Sequence, residues 1–457
     1  MLPFNCAFVA GTLGIEIPDA WKETVITSVF TDSRAPEPGG LFVALVGDHF
    51  NGHAYVLDAF RAGAVAAICS EPIETDLPVF YVRDTREAFL ALAAGYRGLF
   101  QNIPVVGLTG SVGKTTTKEM TAQVLSAKYI TAKTQGNLNN EVGMPQTILS
   151  FAENIEAAVV EMGMNHAGEI SRLSKACRPT LAIITNIGTS HIGNLGSREA
   201  IMRAKLEILD GMEPGATLIL NGDNDLLGAY ANDKYHIITF GIENRTADVL
   251  ADAIHTVGSG TAFNILYGGD VYEAFIPVPG EHNVANALAA FTAGVQVGVD
   301  PSDAAKALAG YKPTGLRQHI EDIDGITFIE DCYNASPDSV KANLVALMSI
   351  DAKRHVAVLG DMKELGSVTE EAHYDCGVTA AAKGVDIVFG FGEASRDICR
   401  GAQEKQIPQA EHFTDAEALA ARLVEVLRPG DAVLFKASRA MRLETVIERV
   451  KQLYLEA

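Results

Sequence analysis

The segment Thr109-Gly110-Ser111-Val112-Gly113-Lys114-Thr115-Thr116 follows the apolar run 103–108 and leads into a helix-like stretch that reaches Leu125. Strand, glycine-bearing loop and helix in that order belong to the parallel α/β class of sheet, whose ligands sit at the carboxyl ends of the strands. The same spacing dictates chemistry. Glycines let successive backbone N–H groups turn toward an anion, and the helix N-terminus behind them adds roughly half a positive charge at that point. Residues 110–116 therefore read as a nucleotide phosphate loop, with Lys114 reaching the outer phosphates and the Thr115 hydroxyl holding Mg2+. Leu108 stands where the first glycine of the common form belongs, and Gly107 lies one residue earlier, so Gly110 is expected to make the turn.

A chain of 457 residues is too long for one core and divides into about three units. Before residue 100, β-type runs at 40–45, 64–69 and 79–82 alternate with helical ones, and 86–100 reads as a helix. Further strands are expected at 157–160 and 181–184, then an extended, Gly-rich stretch from about 215 to 280 and a last helix beginning near Glu281. Past Lys312-Pro313-Thr314-Gly315 the alternation restarts, with strands at 326–329, 355–359, 386–389 and 432–435. The boundaries drawn are 1–100, 101–313 and 314–457.

The chain sets 36 Lys and Arg against 57 Asp and Glu, a formal charge of −21. So acidic a balance offers no long-range attraction to nucleic acid or to an anionic membrane, and neither is expected as a partner. A small anion would need local cations instead, and Lys114, Arg34 and Arg317 are the candidates. No apolar run is long enough for membrane insertion, and the first residues lack the basic start of a signal peptide, so cytoplasmic residence is expected. The six cysteines contain no CxxC pair and read as reduced packing residues.

Several groups stand where chemistry is plausible. Glu161 ends the apolar strand 157–160, where an ionised carboxylate needs a partner and Mg2+ would serve. His191, in the loop after the strand 181–184, reads either as a ligand to metal or phosphate or as a structural residue. Lys205 falls on the apolar stripe Ile201, Ala204, Ile208, four residues from Ile201. An inward-facing lysine ordinarily snorkels to water. Held near a metal, it would have to be neutral or converted by carbon dioxide to a carbamate, an anionic oxygen ligand. The amides of 136–143 (Asn137, Asn139, Asn140) form a turn cluster or a polar substrate site, and Asn283 and Asn286 cap a helix or read a base edge. Ser336 and Pro337 mark a helix N-terminus.

Taken together these stretches resemble the Mur ligases of bacterial cell-wall synthesis. The resemblance is carried by Thr31-Asp32-Ser33-Arg34 and 41–45 in the first unit; by the phosphate loop, Gly136-Asn137-Leu138-Asn139-Asn140, Glu161-Met162-Gly163 and Ala204-Lys205-Leu206-Glu207 in the second; and by 331–337, 359–366 and Lys436-Ala437-Ser438-Arg439 in the third. It implies an N-terminal α/β UDP-binding domain, a central P-loop ATPase domain with a mainly parallel sheet, and a C-terminal Rossmann-like ligase domain. By similarity, Ser33 and Arg34 would contact the UDP moiety. Gly110, Ser111, Val112, Gly113, Lys114, Thr115 and Thr116 would hold the ATP phosphates, with Asn283 at the adenine, Arg317 at the phosphates and Asp331 at the ribose. Asn137, Asn139 and Asn140 would line the peptidyl site. Thr115, Glu161, His191 and Lys205 as a carbamate would bind Mg2+, and Lys114, Lys205 and His191 would form the catalytic set. The implied reaction joins D-alanyl-D-alanine to a UDP-N-acetylmuramoyl-tripeptide through an acyl phosphate, in a monomer.

Three departures from the family pattern stand out: Asn51 before Gly52-His53 in place of Asp, Ala437 in place of Gly, and Ser336 in place of Asn. The alternatives are the family member that adds the third amino acid, folylpolyglutamate synthase, which shares the ATPase core, and a P-loop switch protein. The diaminopimelate-selecting Asp-Asn-Pro-Arg motif and the Asn-Lys-x-Asp base-reading motif are both absent from the sequence.

Overall fold

Residues 1–47 and 49–456 are described by the structure, a computed structural model. Near the N-terminus a four-stranded, all-parallel sheet runs Ser28–Phe30, Gly40–Val43, Ala66–Cys69, Val79–Tyr81. Asp84 then caps the helix Thr85–Arg97 by accepting the amides of Arg86 and Glu87, and a 3-10 turn at Gly98–Phe100 ends it three residues before the expected stop. The end of this helix is anchored in the next unit. Tyr96 donates its hydroxyl to the Phe151 carbonyl at 2.7 Å, and the buried Arg97 guanidinium donates to the carbonyls of Cys177 and Phe100 at 2.9 and 2.5 Å. One apolar cluster accordingly extends from Phe4 to Leu227 without a break.

The middle of the chain builds a nine-stranded sheet. Its order is Thr131–Lys133, Ala157–Glu161, Val105–Thr109, Leu181–Ile184, Thr217–Asn221, His236–Gly241, Val249–Val257, Gly260–Tyr267, Asp270–Ile276. Pairing is parallel as far as Val249–Val257 and antiparallel for the last two strands. The Gly-rich stretch is thus sheet, its turns at Gly258 and Gly268-Gly269 supplying positive φ. The helices Lys114–Leu125 and Glu281–Gln296 pack on each other over one face. Glu281–Gln296 is not the last helix of the unit, because Asp300 caps a further short one, Pro301–Ala307. The strand order reverses on either side of Val105–Thr109, and the crevice at such a switch point is where an open α/β sheet takes its ligand.

The third sheet has six strands, His319–Ile323, Ile326–Glu330, Asp431–Lys436, Arg354–Gly360, Ile387–Phe391, Gln409–Phe413. All pairs are parallel except the first, an antiparallel edge hairpin. Its two apolar clusters draw on no residue before Leu316, so among the described residues no apolar cluster joins this unit to the rest. Polar contacts cross the gap instead. Asp338 Oδ2 accepts from the Thr189 amide and hydroxyl at 2.9 and 3.1 Å, and Asn283 donates to Gln318 at 2.7 Å.

Candidate active site

In the sheet register, Glu161 pairs with Leu108 and Ile184 with Thr109, so three adjacent parallel strands end level with one another beneath the loop 110–116. Thr117 N donates to Gly113 O at 2.8 Å as the helix begins. Two glycines bend the loop: Gly113 is left-handed at φ 82°, and Gly110, expected to do the turning, has φ 156°, which residues with a side chain rarely adopt. Gly110 and Gly113 also supply room: a Cβ at Gly110 would collide with the Thr185 hydroxyl, and one at Gly113 with the Asn286 side-chain oxygen. The Val112 amide is held by Asn186 Oδ1 at 2.8 Å. Gly113→Ala should destabilise the protein by about 1–2 kcal/mol from its left-handed φ alone and weaken ADP binding in the same variant. Thermal melts with and without ADP check this; an unchanged ADP-induced rise in Tm would contradict it.

Lys114 folds back over the loop, donating to the carbonyls of Gly110 at 2.9 Å and Ser111 at 3.4 Å. Loss of water around it lowers its pKa, an effect that Glu161 opposes and Arg317 reinforces. Behind the loop, Glu161 is buried to 1% exposure and is the hub of the site. Thr115 donates its hydroxyl to Oε2 at 3.0 Å, and Asn139 donates Nδ2 to Oε1 at 2.7 Å. A carboxylate beside a threonine hydroxyl at the mouth of a phosphate loop is a hard oxygen donor set that fits Mg2+ when phosphate oxygens and water complete the shell. Among the described residues no three His, Cys, Asp or Glu side chains cluster as a metal site. A cation here would therefore depend on the nucleotide for much of its coordination.

Lys205 does not snorkel. Ser197 caps its helix, Arg198–Leu206, and Ile201, Ala204 and Lys205 are all buried, Lys205 to 2% exposure. Burial, with the positive charge of Lys114 adding to it, pushes its pKa well below the usual lysine range. His191 sits at φ 64°, its Nδ1 2.7 Å from Glu364 Oε2 of the third unit. Burial lowers its pKa, Lys114 and Lys205 lower it further, and Glu364 pulls the other way. Lys114, His191 and Lys205 thus lie within electrostatic reach of one another.

Two clefts meet at Lys114. The first is lined by residues 111–116 together with Asn283, Arg317, Asp331 and Lys436. The second is lined by Lys114, His191, Lys363, Glu364, Ser438 and Arg439, among others. Arg317 stacks on the Tyr333 ring at 4.1 Å, and Asp331 is paired with Lys436 at 2.5 Å. Asn283 is buried, its amide donating to the Pro279 carbonyl and to Gln318, both at 2.7 Å. Gln318 in turn contacts His282 at 2.7 Å, and burial draws the His282 pKa down to about 4.

The remaining expected residues sit farther out. Ser33 and the exposed Arg34 lie on a turn where the Arg34 guanidinium grips both oxygens of the Asp32 carboxylate, donating Nε to Oδ1 at 2.9 Å and Nη2 to Oδ2 at 2.7 Å. This turn reaches the middle unit, because Gln146 donates to Thr31 Oγ1 at 3.0 Å. Asn137 is exposed, and Asn140 Oδ1 accepts the amides of Val142 and Gly143, the start of the helix Gly143–Leu149. Of the three departures, Asn51 caps a turn and holds His53, Ser336 caps the helix Pro337–Met348 through a capping box with Ser339, and Ala437 leaves Gly360 no room for a side chain. Lys118, Glu119, Gln318 and Asp338 were not anticipated. The available signal for Lys118 was its position four residues after Lys114, on the same helical face.

Comparison with known proteins bears directly on this arrangement. Residues 108–294 match the Mur ligase middle domain, and residues 317–439 match the Mur ligase glutamate ligase domain. The chain is 41% identical over 437 residues to the UDP-N-acetylmuramoyl-tripeptide--D-alanyl-D-alanine ligase of Bacillus subtilis, covering 94% of each chain. In fold it is similar to MurF from Acinetobacter baumannii, with a TM-score of 0.90 and 32% identity over 98% of this chain and 99% of that one. It is also similar to the MurF ligase from Thermotoga maritima in complex with ADP, with a TM-score of 0.85 and 30% identity over 94% and 98%.

Proposed function

Since this chain belongs to the Mur ligase family, we infer that it is the ligase that joins D-alanyl-D-alanine to UDP-N-acetylmuramoyl-tripeptide in peptidoglycan synthesis, driven by ATP. The observation that carries this reading is the convergence of the phosphate loop, Lys114 and the Thr115–Glu161 pair at the junction of two clefts. One cleft suits a nucleotide and the other suits the two peptide ends, with Lys114 between them.

The loop amides and Lys114 hold the β- and γ-phosphates. The terminal carboxylate of the tripeptide attacks the γ-phosphorus, the bond to the bridging oxygen breaks, and ADP leaves. The amine of D-alanyl-D-alanine then adds to the acyl carbon, loses a proton, and expels inorganic phosphate as the amide forms. Positioning and neutralisation of charge carry such a sequence, with no covalent intermediate on the protein. Mg2+ held by Thr115 and Glu161, with His191 and a carbamate on Lys205 as further ligands, would neutralise phosphate charge. The third unit covers the junction and keeps water from the acyl phosphate. Asn139, already fixed by Glu161, would orient the tripeptide beside Asn137 and Asn140, and Ser33 and Arg34 would take the UDP end. Asn283, Arg317 and Asp331 line the cleft assigned to the adenosine. We further propose that the units divide at about 100 and 313, that the enzyme works as a monomer, and that it acts in the cytoplasm; none of its described helices is long and apolar enough to cross a membrane.

The test is to supply ATP, Mg2+, UDP-N-acetylmuramoyl-tripeptide and either D-alanyl-D-alanine or single amino acids, and to follow phosphate and product mass. ADP and phosphate are expected only when both the tripeptide and the dipeptide are present. AMP and pyrophosphate would refute the acyl-phosphate route, and turnover with single amino acids alone would overturn the dipeptide assignment.

A further inference from the structure

Lys118 is fully buried, one turn beyond Lys114 on the same helix. Its ammonium lies 3.0 Å from Glu119 Oε1 and 4.0 Å from Glu161 Oε2, and it donates to the Gly136 carbonyl at 3.4 Å. Glu119 is also paired with Lys133, at the end of the neighbouring edge strand. Two ammonium groups therefore balance two carboxylates, with Lys118, Glu119 and Glu161 buried and Lys133 partly open to solvent, and Glu161 is shared between this group and the phosphate loop. Gly136 opens the loop that carries Asn137 and Asn139, and Asn139 itself holds the other oxygen of Glu161.

We propose that Lys118 is a positioning residue that links the cation carboxylate Glu161 to the loop 136–140 assigned to the tripeptide, with Glu119 setting how strongly its charge bears on Glu161. The proposal rests on the reading of Glu161 as the metal carboxylate. The sign of each effect follows from Coulomb's law. Lys118 repels a cation bound at Glu161, and Glu119 draws it away from that oxygen. Removing the Lys118 charge should tighten cation binding. Neutralising Glu119 frees Lys118 to lean on Glu161, and should weaken it. A purely structural role would damage the site in the same direction in both variants.

The experiment measures Mn2+ binding to the ADP-bound protein by electron paramagnetic resonance, for wild type, Lys118→Met, Glu119→Gln and Glu161→Gln. Lys118→Met should lower the Mn2+ Kd by about tenfold and Glu119→Gln should raise it by about the same factor. Lys118→Met should also raise KM for the UDP-tripeptide more than KM for ATP, because the Gly136 carbonyl loses its donor. Shifts of the same sign, or none, in the two variants overturn the proposal. If Lys118→Met does not fold, Lys118→Gln takes its place and is read in the same way: tighter Mn2+ binding supports the link, and unchanged or weaker binding overturns it. Glu161→Gln separates the two levels of inference. Unchanged Mn2+ binding there refutes the metal assignment itself, whereas loss of binding there with same-sign shifts elsewhere refutes only the role of Lys118.

Discussion

Lys114→Met is expected to lower the rate of ADP formation by about 10³-fold while leaving Tm within a few degrees of wild type. Methionine keeps most of the aliphatic stem but none of the charge. Among the described residues that charge donates to two loop carbonyls, Gly110 O and Ser111 O, and it sits at the junction of the clefts where phosphate charge must be met. The pKa of Lys114 is lowered chiefly by loss of water, and an arriving polyphosphate reverses that by supplying anionic partners. Single-turnover measurement of ADP with saturating ATP checks this. A rate within tenfold of wild type would remove Lys114 from the reaction.

Lys205→Ala is expected to lower kcat by about 10²-fold and to regain part of it on addition of formate or acetate, if the side chain works as a carbamate. Burial, with the positive charge of Lys114 adding to it, holds the Lys205 amine well below the usual lysine pKa and so favours its neutral form. A neutral buried amine adds to carbon dioxide, forming an N–C bond and releasing one proton, and gains an anionic head that suits a hard cation. A 13C carbamate resonance from labelled bicarbonate should appear in wild type and vanish in the variant. Full activity of the unrescued variant would end the idea.

The phosphate loop was legible because its signal is local: glycines, lysine and hydroxyl at fixed offsets after an apolar strand leave few alternatives. Glu161 was legible for a similar reason, as a carboxylate ending a run that must be buried. The burial of Lys205 was left open by its spacing, because periodicity reports which face a residue occupies but not how much protein lies beyond it. Snorkelling needs water within reach of the side chain, and the packing around Ile201 and Ala204 leaves none. Lys118 was missed because Lys-Thr-Thr-Thr-Lys-Glu reads as a solvated helix start, whereas Glu281–Gln296 covers that helix from a stretch of chain more than a hundred residues away. The strands His319–Ile323 and Gln409–Phe413 went unseen for a plainer cause. They are edge strands of mixed polar composition, and a strand paired on one side needs no continuous apolar run.

The first and middle units share a continuous apolar cluster, whereas the third meets them through hydrogen bonds such as Asp338 to Thr189 and Asn283 to Gln318. Separating oil from oil exposes surface that water dislikes, but a hydrogen bond given up to water is replaced almost in kind, at a net loss of about 0.5–1.5 kcal/mol. The seam beside the phosphate loop is therefore the cheap one to part. Substrates can enter and a bulky product can leave through it at each turnover, while the sheet that carries the loop stays intact.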